Sequence, residues 1–171
     1  QTLGQQLAIL KVTEQIQTAI EPTMNKQIGI LVGMQTSTEI CRYGLRWRLP
    51  ALFKTHDEPV QAWIDSVKQS IGSALNSAQV LGAMPNIVTN RMNIQYNYQA
   101  PSYSISAENI SGFMCLKTAM NALSKQEADM MICGCVDMNA EIAQTAAIKE
   151  LLKQNDTADI ACAVALMRLE D

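Results

Sequence analysis

The chain has 171 residues, of which 48% are hydrophobic and 17% charged, with a formal net charge of −3. This balance is typical of a globular domain, or of half of a larger one, and argues against disorder. The negative charge without a concentrated basic patch argues against nucleic-acid binding, and no segment reaches the roughly 20 apolar residues of a membrane span.

The first third of the chain predicts a helix, a strand and two further helices. Apolar residues recur at near-helical spacing over Leu7–Ile20, and Glu21-Pro22 is expected to end that helix. Gln27–Met34 is a short run rich in Ile and Val, as in a buried strand. Capping residues at Thr36–Glu39 open a helix that is expected to stop near Pro50.

A further helix is predicted to begin at His56-Asp57-Glu58-Pro59, with Trp63, Ile64 and Val67 among the residues of its apolar face. Between Ala78 and Asn97 only Asn86–Tyr96 predicts a helix. The remaining predicted elements are a strand over Ser102–Ser106, a helix over Asn109–Leu123, a strand over Ala128–Met138, a helix over Glu141–Leu152 and a strand over Ala158–Leu169. Alternating helices and apolar strands are typical of an α/β fold whose sheet is covered on both faces.

The five cysteines are odd in number and irregularly spaced, which argues against a disulfide framework. Four lie in apolar stretches, where a free thiol behaves as a small hydrophobic group. We therefore expect a reducing, cytoplasmic compartment. The chain shows no signal peptide and does not begin with Met, so we expect it to start inside a longer protein.

Two features suggest metal or redox chemistry only weakly. Cys133-Gly134-Cys135 has no His or further Cys at ligand spacing, so a buried strand is the better interpretation and no metal is expected. The single histidine, His56, is interpreted as a surface residue near a helix start.

Six segments follow one another in the order found in the β-ketoacyl synthase family. They are similar to its "Q-Q-x-x-x-L" helix, its loop into "N-R-I-S", its "G-P-S-x-x-x", its "L-x-x-G-E-x-D-x-A", its "G-G-V-(N/D)" and its closing "V-V-L-K-R-L-E-D". In this chain these segments are Gln5–Leu10, Met84–Arg91, Ala100–Ile105, Leu123–Met130, Cys133–Asp137 and Ala165–Asp171. The resemblance implies a thiolase-like fold, with residues 1–171 forming the N-terminal half-domain and a mixed sheet covered by helices.

The nucleophile position departs from the family. Ketosynthases have "D-T-A-C-S-S" at a sharp turn that opens a helix, where the helix dipole and backbone amides activate the Cys. Counting from Pro101, Asn109 occupies the place of that Cys and Glu108 precedes it. An amide is not a nucleophile at neutral pH, so the resemblance implies no catalytic residue here. Cys115 lies two turns further on and is expected in the core.

Other catalytic groups of the family are also missing. Ketosynthases use two histidines and a lysine from their second half, and His56 matches none of those motifs. An unrelated α/β protein in which Asn109 simply caps a helix is the competing interpretation, and the six flanking motifs favour the replaced nucleophile.

The pattern "V-x-A-E-x-x-S-G" around Asn109 resembles the chain-length-factor domains of bacterial polyunsaturated fatty acid synthases. So does the stretch containing Val32-Gly33-Met34, Glu39, Arg42 and Arg46-Trp47. The resemblance implies a module that pairs with an active ketosynthase domain and shapes a tunnel for phosphopantetheine-linked acyl chains, with no cofactor bound by itself.

The resemblance also suggests candidate contacts. Those for the tunnel or dimer interface are Ser102, Ser104, Ser106, Phe113 and Met114. Those for an acidic acyl carrier protein are Arg42, Arg46 and Arg48, which equally fit a solvated helix face. Two further hypotheses stay open: malonyl decarboxylation assisted by Asn109, and a docking segment beside an acyltransferase domain.

Overall fold

The computed structural model describes residues 3–20, 27–54, 57–71, 76–153 and 158–169. The predictions for Glu21-Pro22, His56 and Glu170-Asp171 lie outside these residues. The helices are α1 (Gly4–Ala19), α2 (Cys41–Leu52), α3 (Glu58–Ser70), α4 (Ser77–Ala83), α5 (Ile87–Tyr96), α6 (Ser111–Ser124) and α7 (Ile142–Ala147). The strands are β1 (Ile28–Gly33), β2 (Tyr103–Ile105), β3 (Met130–Met138) and β4 (Asp159–Met167). Short 3-10 turns at Thr38–Ile40 and Glu108–Ile110 precede α2 and α6, and a π-helical turn at Ile148–Leu152 follows α7.

The four strands form one mixed sheet in the order β2-β1-β3-β4. β1 is parallel to both β2 and β3, whereas β3 and β4 are antiparallel. Parallel neighbours require crossover connections, and helices supply them here. The carboxyl ends of β1 and β2 therefore lie side by side, and the chain leaves β2 there to enter α6.

Two apolar clusters lie on opposite faces of the sheet. On one face, α1 and α5 cover the sheet through residues such as Ile9, Val88 and Met92. On the other face, α6 covers the sheet through Cys115 and Ala119. The prediction of a mixed sheet with helices on both faces is therefore confirmed.

The apolar face predicted for α1 is partly wrong. Leu7 is exposed, whereas Gln5 and Gln6 are buried. The amide Nε2 of Gln6 donates to the carbonyl of Met84 at 2.7 Å, and that hydrogen bond makes its burial tolerable. Leu10 lies at the edge of the cluster rather than at its centre.

Two helix predictions need correction. α2 runs past Pro50 to Leu52, because a proline in the last turn removes only one of the helical amide hydrogen bonds. α4 was not predicted, although Asn76 and Gln79 form a reciprocal capping box at its start. That Asn-x-x-Gln spacing was the available signal.

The predicted strand over Ala158–Leu169 is confirmed as β4, but several of its apolar side chains are exposed. β4 leaves Ile160, Val164 and Met167 more than two-fifths exposed, while Ala161 and Leu166 pack against the two clusters. Apolar character alone does not say which layer covers a strand, and β4 lies at the edge of the described sheet.

Candidate active-site elbow

The chain turns sharply between β2 and α6. The last residue of β2, Ile105, accepts a hydrogen bond from the amide of Met34 at 3.1 Å, which ties this end of the strand to β1. The buried hydroxyl of Ser111 then closes the turn from the first residue of α6. It accepts from the amide of Ala107 at 2.9 Å and donates to the carbonyl of Glu108 at 2.6 Å.

The backbone of Glu108 has φ 50°, in the left-handed region. Only a few per cent of non-glycine residues adopt it, and such conformations store about 1–3 kcal/mol of strain. The strain lies one residue before Asn109, in the turn that leads into α6.

Asn109 follows Glu108 within the 3-10 turn, and its side chain is exposed. The N-cap position of α6 is Ile110, and no side chain makes a capping hydrogen bond there. The interpretation of Asn109 as a simple helix cap is therefore wrong.

Asn109 borders two cavities. One is an apolar groove of about 250 Å³ between α6 and the strands β3 and β4, which Phe113 and Val164 also line. The other, of about 70 Å³, lies beside the carboxyl ends of β1 and β3 and includes Gly33 and Asp137. Asn109 thus borders both cavities, just before the first turn of α6.

Gly33 brings the elbow against the sheet. A Cβ at Gly33 would lie 2.8 Å from the carbonyl carbon of Ser111 and 2.9 Å from the amide nitrogen of Gly112. Real Cβ atoms do not approach backbone so closely, so only glycine allows the first turn of α6 to cross β1 here. The sequence interpretation missed both Ser111 and Gly33. A glycine that ends a buried strand was the one available signal for the second.

Two buried thiols beneath α6 have raised pKa values. Burial raises the pKa of Cys115 to about 12 and the pKa of Cys133 to about 11. The Sγ of Cys133 also donates to the carbonyl of Cys115 at 3.7 Å. The prediction that Cys115 belongs to the core is confirmed, because its side chain is fully buried.

The sequence model of the family described as "Beta-ketoacyl synthase, N-terminal domain" matches residues 4–163. The chain belongs to the β-ketoacyl synthase family. It is also 26% identical over 138 residues, or 80% of its length, to a polyunsaturated fatty acid synthase polypeptide of Thraustochytrium sp.. The chain spans only 6% of that relative.

Solved structures share the fold at lower identity. The PfaC keto synthase-chain length factor matches 97% of this chain with a TM-score of 0.78 and 19% identity, and the chain spans 20% of it. A type II polyketide synthase acyl-carrier protein in complex with its ketosynthase, AntDE:AntF, matches 90% with a TM-score of 0.59 and 14% identity. The chain spans 42% of that structure. The thiolase-like ketosynthase fold predicted from the motifs is confirmed.

The three serine candidates for the tunnel or dimer interface, Ser102, Ser104 and Ser106, have different surroundings. The hydroxyl of Ser102 accepts from the amide of Ile30 at 3.0 Å and lies 2.9 Å from the side-chain oxygen of Asn93, to which it donates. Ser104 donates to the carbonyl of Pro85 at 2.9 Å. Ser106 lies beyond the end of β2 and is exposed. Ser102 and Ser104 therefore fasten β2 to the rest of the chain.

The two α6 candidates also differ. Phe113 is 72% exposed and lines the groove beside Asn109. Met114 is half-buried, on a different side of the helix. Of the two, only Phe113 lies next to the amide of Asn109.

The three arginine candidates for carrier-protein contact, Arg42, Arg46 and Arg48, all lie on α2. Nη2 of Arg46 donates to the carbonyl of Lys68 at 2.9 Å, which ties α2 to the last turn of α3. Arg48 is exposed, and the side chain of Arg42 lies outside the described part of the structure. Arg46 thus has a structural partner, and Arg48 is open to solvent.

Two searches of the described residues gave negative results. No described helix is both long and apolar enough to cross a bilayer. In the same residues, no three His, Cys, Asp or Glu side chains are grouped so as to hold a metal ion.

Proposed function

We propose that this chain is the N-terminal half of a ketosynthase-like, chain-length-factor module in a polyunsaturated fatty acid synthase. In this proposal the module carries no acyl group on its own elbow. It pairs with an active ketosynthase domain and shapes the tunnel that receives the growing acyl chain.

The observation that carries the proposal is Asn109 at the strained turn before α6. A thioester requires a thiol at this point, and an amide nitrogen does not attack a thioester at neutral pH. Cys115 cannot replace it, because its thiol is buried beneath α6 and its pKa is raised by that burial.

The groove beside Asn109 supports a tunnel function. Its lining includes Phe113, Leu116 and Val164, which suit a hydrocarbon chain delivered on the phosphopantetheine arm of a carrier protein. Exposed Phe113 and half-buried Met114 are the α6 residues that we propose for the tunnel or interface. The exposed Arg48 on α2 is the arginine that best fits an acidic carrier surface.

The proposed ketosynthase partner would lie along β2. This strand is at the edge of the described sheet, and Tyr103 at its start is 46% exposed. Edge strands present unpaired backbone groups that favour strand pairing with a second domain. The hydroxyls of Ser102 and Ser104 would then support the interface strand from behind.

The test uses the full polypeptide that contains this chain, incubated with an acyl-carrier protein bearing a radiolabelled acyl thioester. We expect the unmodified protein to retain no label on the tryptic peptide that contains Asn109. Asn109→Cys is expected to gain a thioester there that hydroxylamine removes. The matched control is Asn121→Cys, which places a thiol on the exposed surface of the same helix and is expected to stay unlabelled.

Two results would overturn the proposal. One is stoichiometric acylation of a native residue within the chain. The other is carbon dioxide release from malonyl-carrier protein that Asn109→Ala abolishes, which would make Asn109 part of a decarboxylase. If the polypeptide instead proves to carry an acyltransferase and no ketosynthase pairs with it, this part of the chain is a docking segment.

A further inference from the structure

Two cysteines lie opposite each other on β3 and β4, the two strands that line the groove. In the antiparallel register of β3 and β4, Cys135 lies directly opposite Cys162. Directly opposed residues project from the same face of a sheet. Both side chains line the groove that also contains Asn109 and Phe113.

The register brings the two residues within disulfide range. Opposed residues on antiparallel strands have Cα atoms about 4.5–5.5 Å apart, and disulfides join residues whose Cα atoms are about 4.4–6.8 Å apart. Their Cβ atoms, about 4.5–5.5 Å apart, need to approach by only about 1 Å to reach the usual disulfide spacing. Their electrostatic coupling also indicates that the two thiols are close, because Cys162 helps to raise the pKa of Cys135.

Exposure separates this pair from the other thiols around α6. Cys162 is exposed and Cys135 is half-buried, whereas Cys115 and Cys133 are buried. The amide of Gly112, in the first turn of α6, donates to the sulfur of Cys135. An amide donor stabilises a thiolate and so opposes the effect of burial.

We propose that Cys135 and Cys162 form a reversible dithiol–disulfide site for peroxide-class oxidants. The exposed Cys162 thiolate attacks hydrogen peroxide, takes up one oxygen as a sulfenic acid and releases hydroxide, which a proton converts to water. The thiolate of Cys135 then attacks the sulfenic sulfur and displaces hydroxide, which takes up a second proton to become water, and a cross-strand disulfide remains. A dithiol reductant returns both thiols.

The disulfide would change the groove in two ways. It would fasten the edge strand β4 to β3 by a covalent bond beside Asn109. It would also replace two thiols in the lining by a fixed bridge. This inference does not depend on the proposed function, because it requires only the register and exposure of the two strands.

The test treats the full polypeptide with a small excess of hydrogen peroxide, blocks the remaining thiols and identifies linked tryptic peptides by mass spectrometry. We expect residues 126–149 joined to residues 154–168, with fragmentation assigning the bond to Cys135 rather than Cys133. Dithiothreitol is expected to separate them. Cys162→Ser is expected to lose the linked species, and Cys133→Ala and Cys41→Ser to retain it.

Three outcomes would overturn the proposal: no linked species from folded protein, a bond through Cys133, or Cys162 oxidised to sulfinic acid while Cys135 stays free. Cys135→Ser is a second, independent variant that is also expected to lose the linked peptide. It keeps the test valid if Cys162→Ser does not fold normally. The circular dichroism spectrum of each variant is compared with that of the unmodified protein. The acyl-labelling result at Asn109 does not bear on any of these outcomes.

Discussion

Replacing Ser111 by alanine removes the hydroxyl that closes the turn before α6. In the structure this hydroxyl accepts from the amide of Ala107 at 2.9 Å and donates to the carbonyl of Glu108 at 2.6 Å. Ser111 itself is only 4% exposed. The carbonyl of Glu108 keeps the backbone amide of Ser111 as a donor, so the variant leaves the amide of Ala107 without its hydroxyl partner. The left-handed backbone of Glu108 also loses the contact that holds it.

The expected cost follows from these two bonds. A typical intramolecular hydrogen bond contributes about 1 kcal/mol net, and an unsatisfied buried donor or acceptor costs about 1–3 kcal/mol. We therefore expect Ser111→Ala to lower the free energy of unfolding by about 1–2 kcal/mol. Urea titration followed by circular dichroism measures this as a lower midpoint with an unchanged slope.

The control for this measurement is Ser124→Ala at the other end of α6. That exposed hydroxyl donates only to the carbonyl of Asn121, three residues earlier. We expect it to change the free energy of unfolding by less than about 0.5 kcal/mol, as for most surface substitutions. If the two variants were equally stable, Ser111 would not hold the elbow and the reasoning would be wrong.

Three further outcomes are expected. Gly33→Ala lowers the free energy of unfolding by at least about 2 kcal/mol, because its Cβ would lie 2.8 Å from Ser111 backbone. The thiol of Cys133 has a pKa of about 11 in the folded protein and 9.0 as the ordinary value. Between these values the thiol ionises in the unfolded chain but not in the folded one, so the free energy of unfolding falls as the pH rises. Cys133→Ala removes this group, and we expect it to reduce that loss of stability. Arg168→Met costs about 1–3 kcal/mol by removing donors to the carbonyls of Leu123 and Ala128.

Each of these has its own check. For Gly33→Ala the control is Gly44→Ala, whose Cβ would meet nothing within 4 Å, and equal thermal midpoints would contradict the close approach of α6. For Cys133→Ala the unfolding free energies are compared from pH 8 to pH 11, and parallel curves would contradict the raised pKa of the folded thiol. For Arg168→Met the control is Lys11→Met, which removes an exposed ion pair with Glu14. If the two variants unfolded at the same urea concentration, the contacts of Arg168 would contribute little to stability.

The sequence predicted the place of the elbow but not its construction. The predicted strand and helix on either side placed a turn at Asn109, and the structure has Asn109 in the 3-10 turn before α6. The left-handed conformation of Glu108 and the two hydrogen bonds of Ser111 depend on how the turn rests on β1. The residues of the turn do not by themselves specify how close it lies to β1. That contact depends on Gly33, which is distant in sequence and packs against the backbone of Ser111 and Gly112.

Burial was predicted less well than secondary structure, and α1 and β4 show this in opposite ways. Gln6 is buried because a carbonyl from residue 84, far along the chain, accepts from it, and a helical periodicity cannot reveal such a partner. β4 shows the opposite case. Its apolar residues correctly predicted a strand, but their exposure depends on which layer packs against it, and that is set by the tertiary fold.

The hydroxyl of Ser102 helps to join β1 to the segment that leads into β2. It accepts a hydrogen bond from the amide of Ile30, one residue before the paired part of β2 begins at Tyr103. A three-residue strand makes few backbone hydrogen bonds, so the side chain of Ser102 helps to fix the register of β2 against β1. A slip of two residues would move the elbow, and with it Asn109, by about 6.6 Å along the sheet. The position at which Asn109 borders the groove therefore depends on a serine seven positions upstream that does not line the groove.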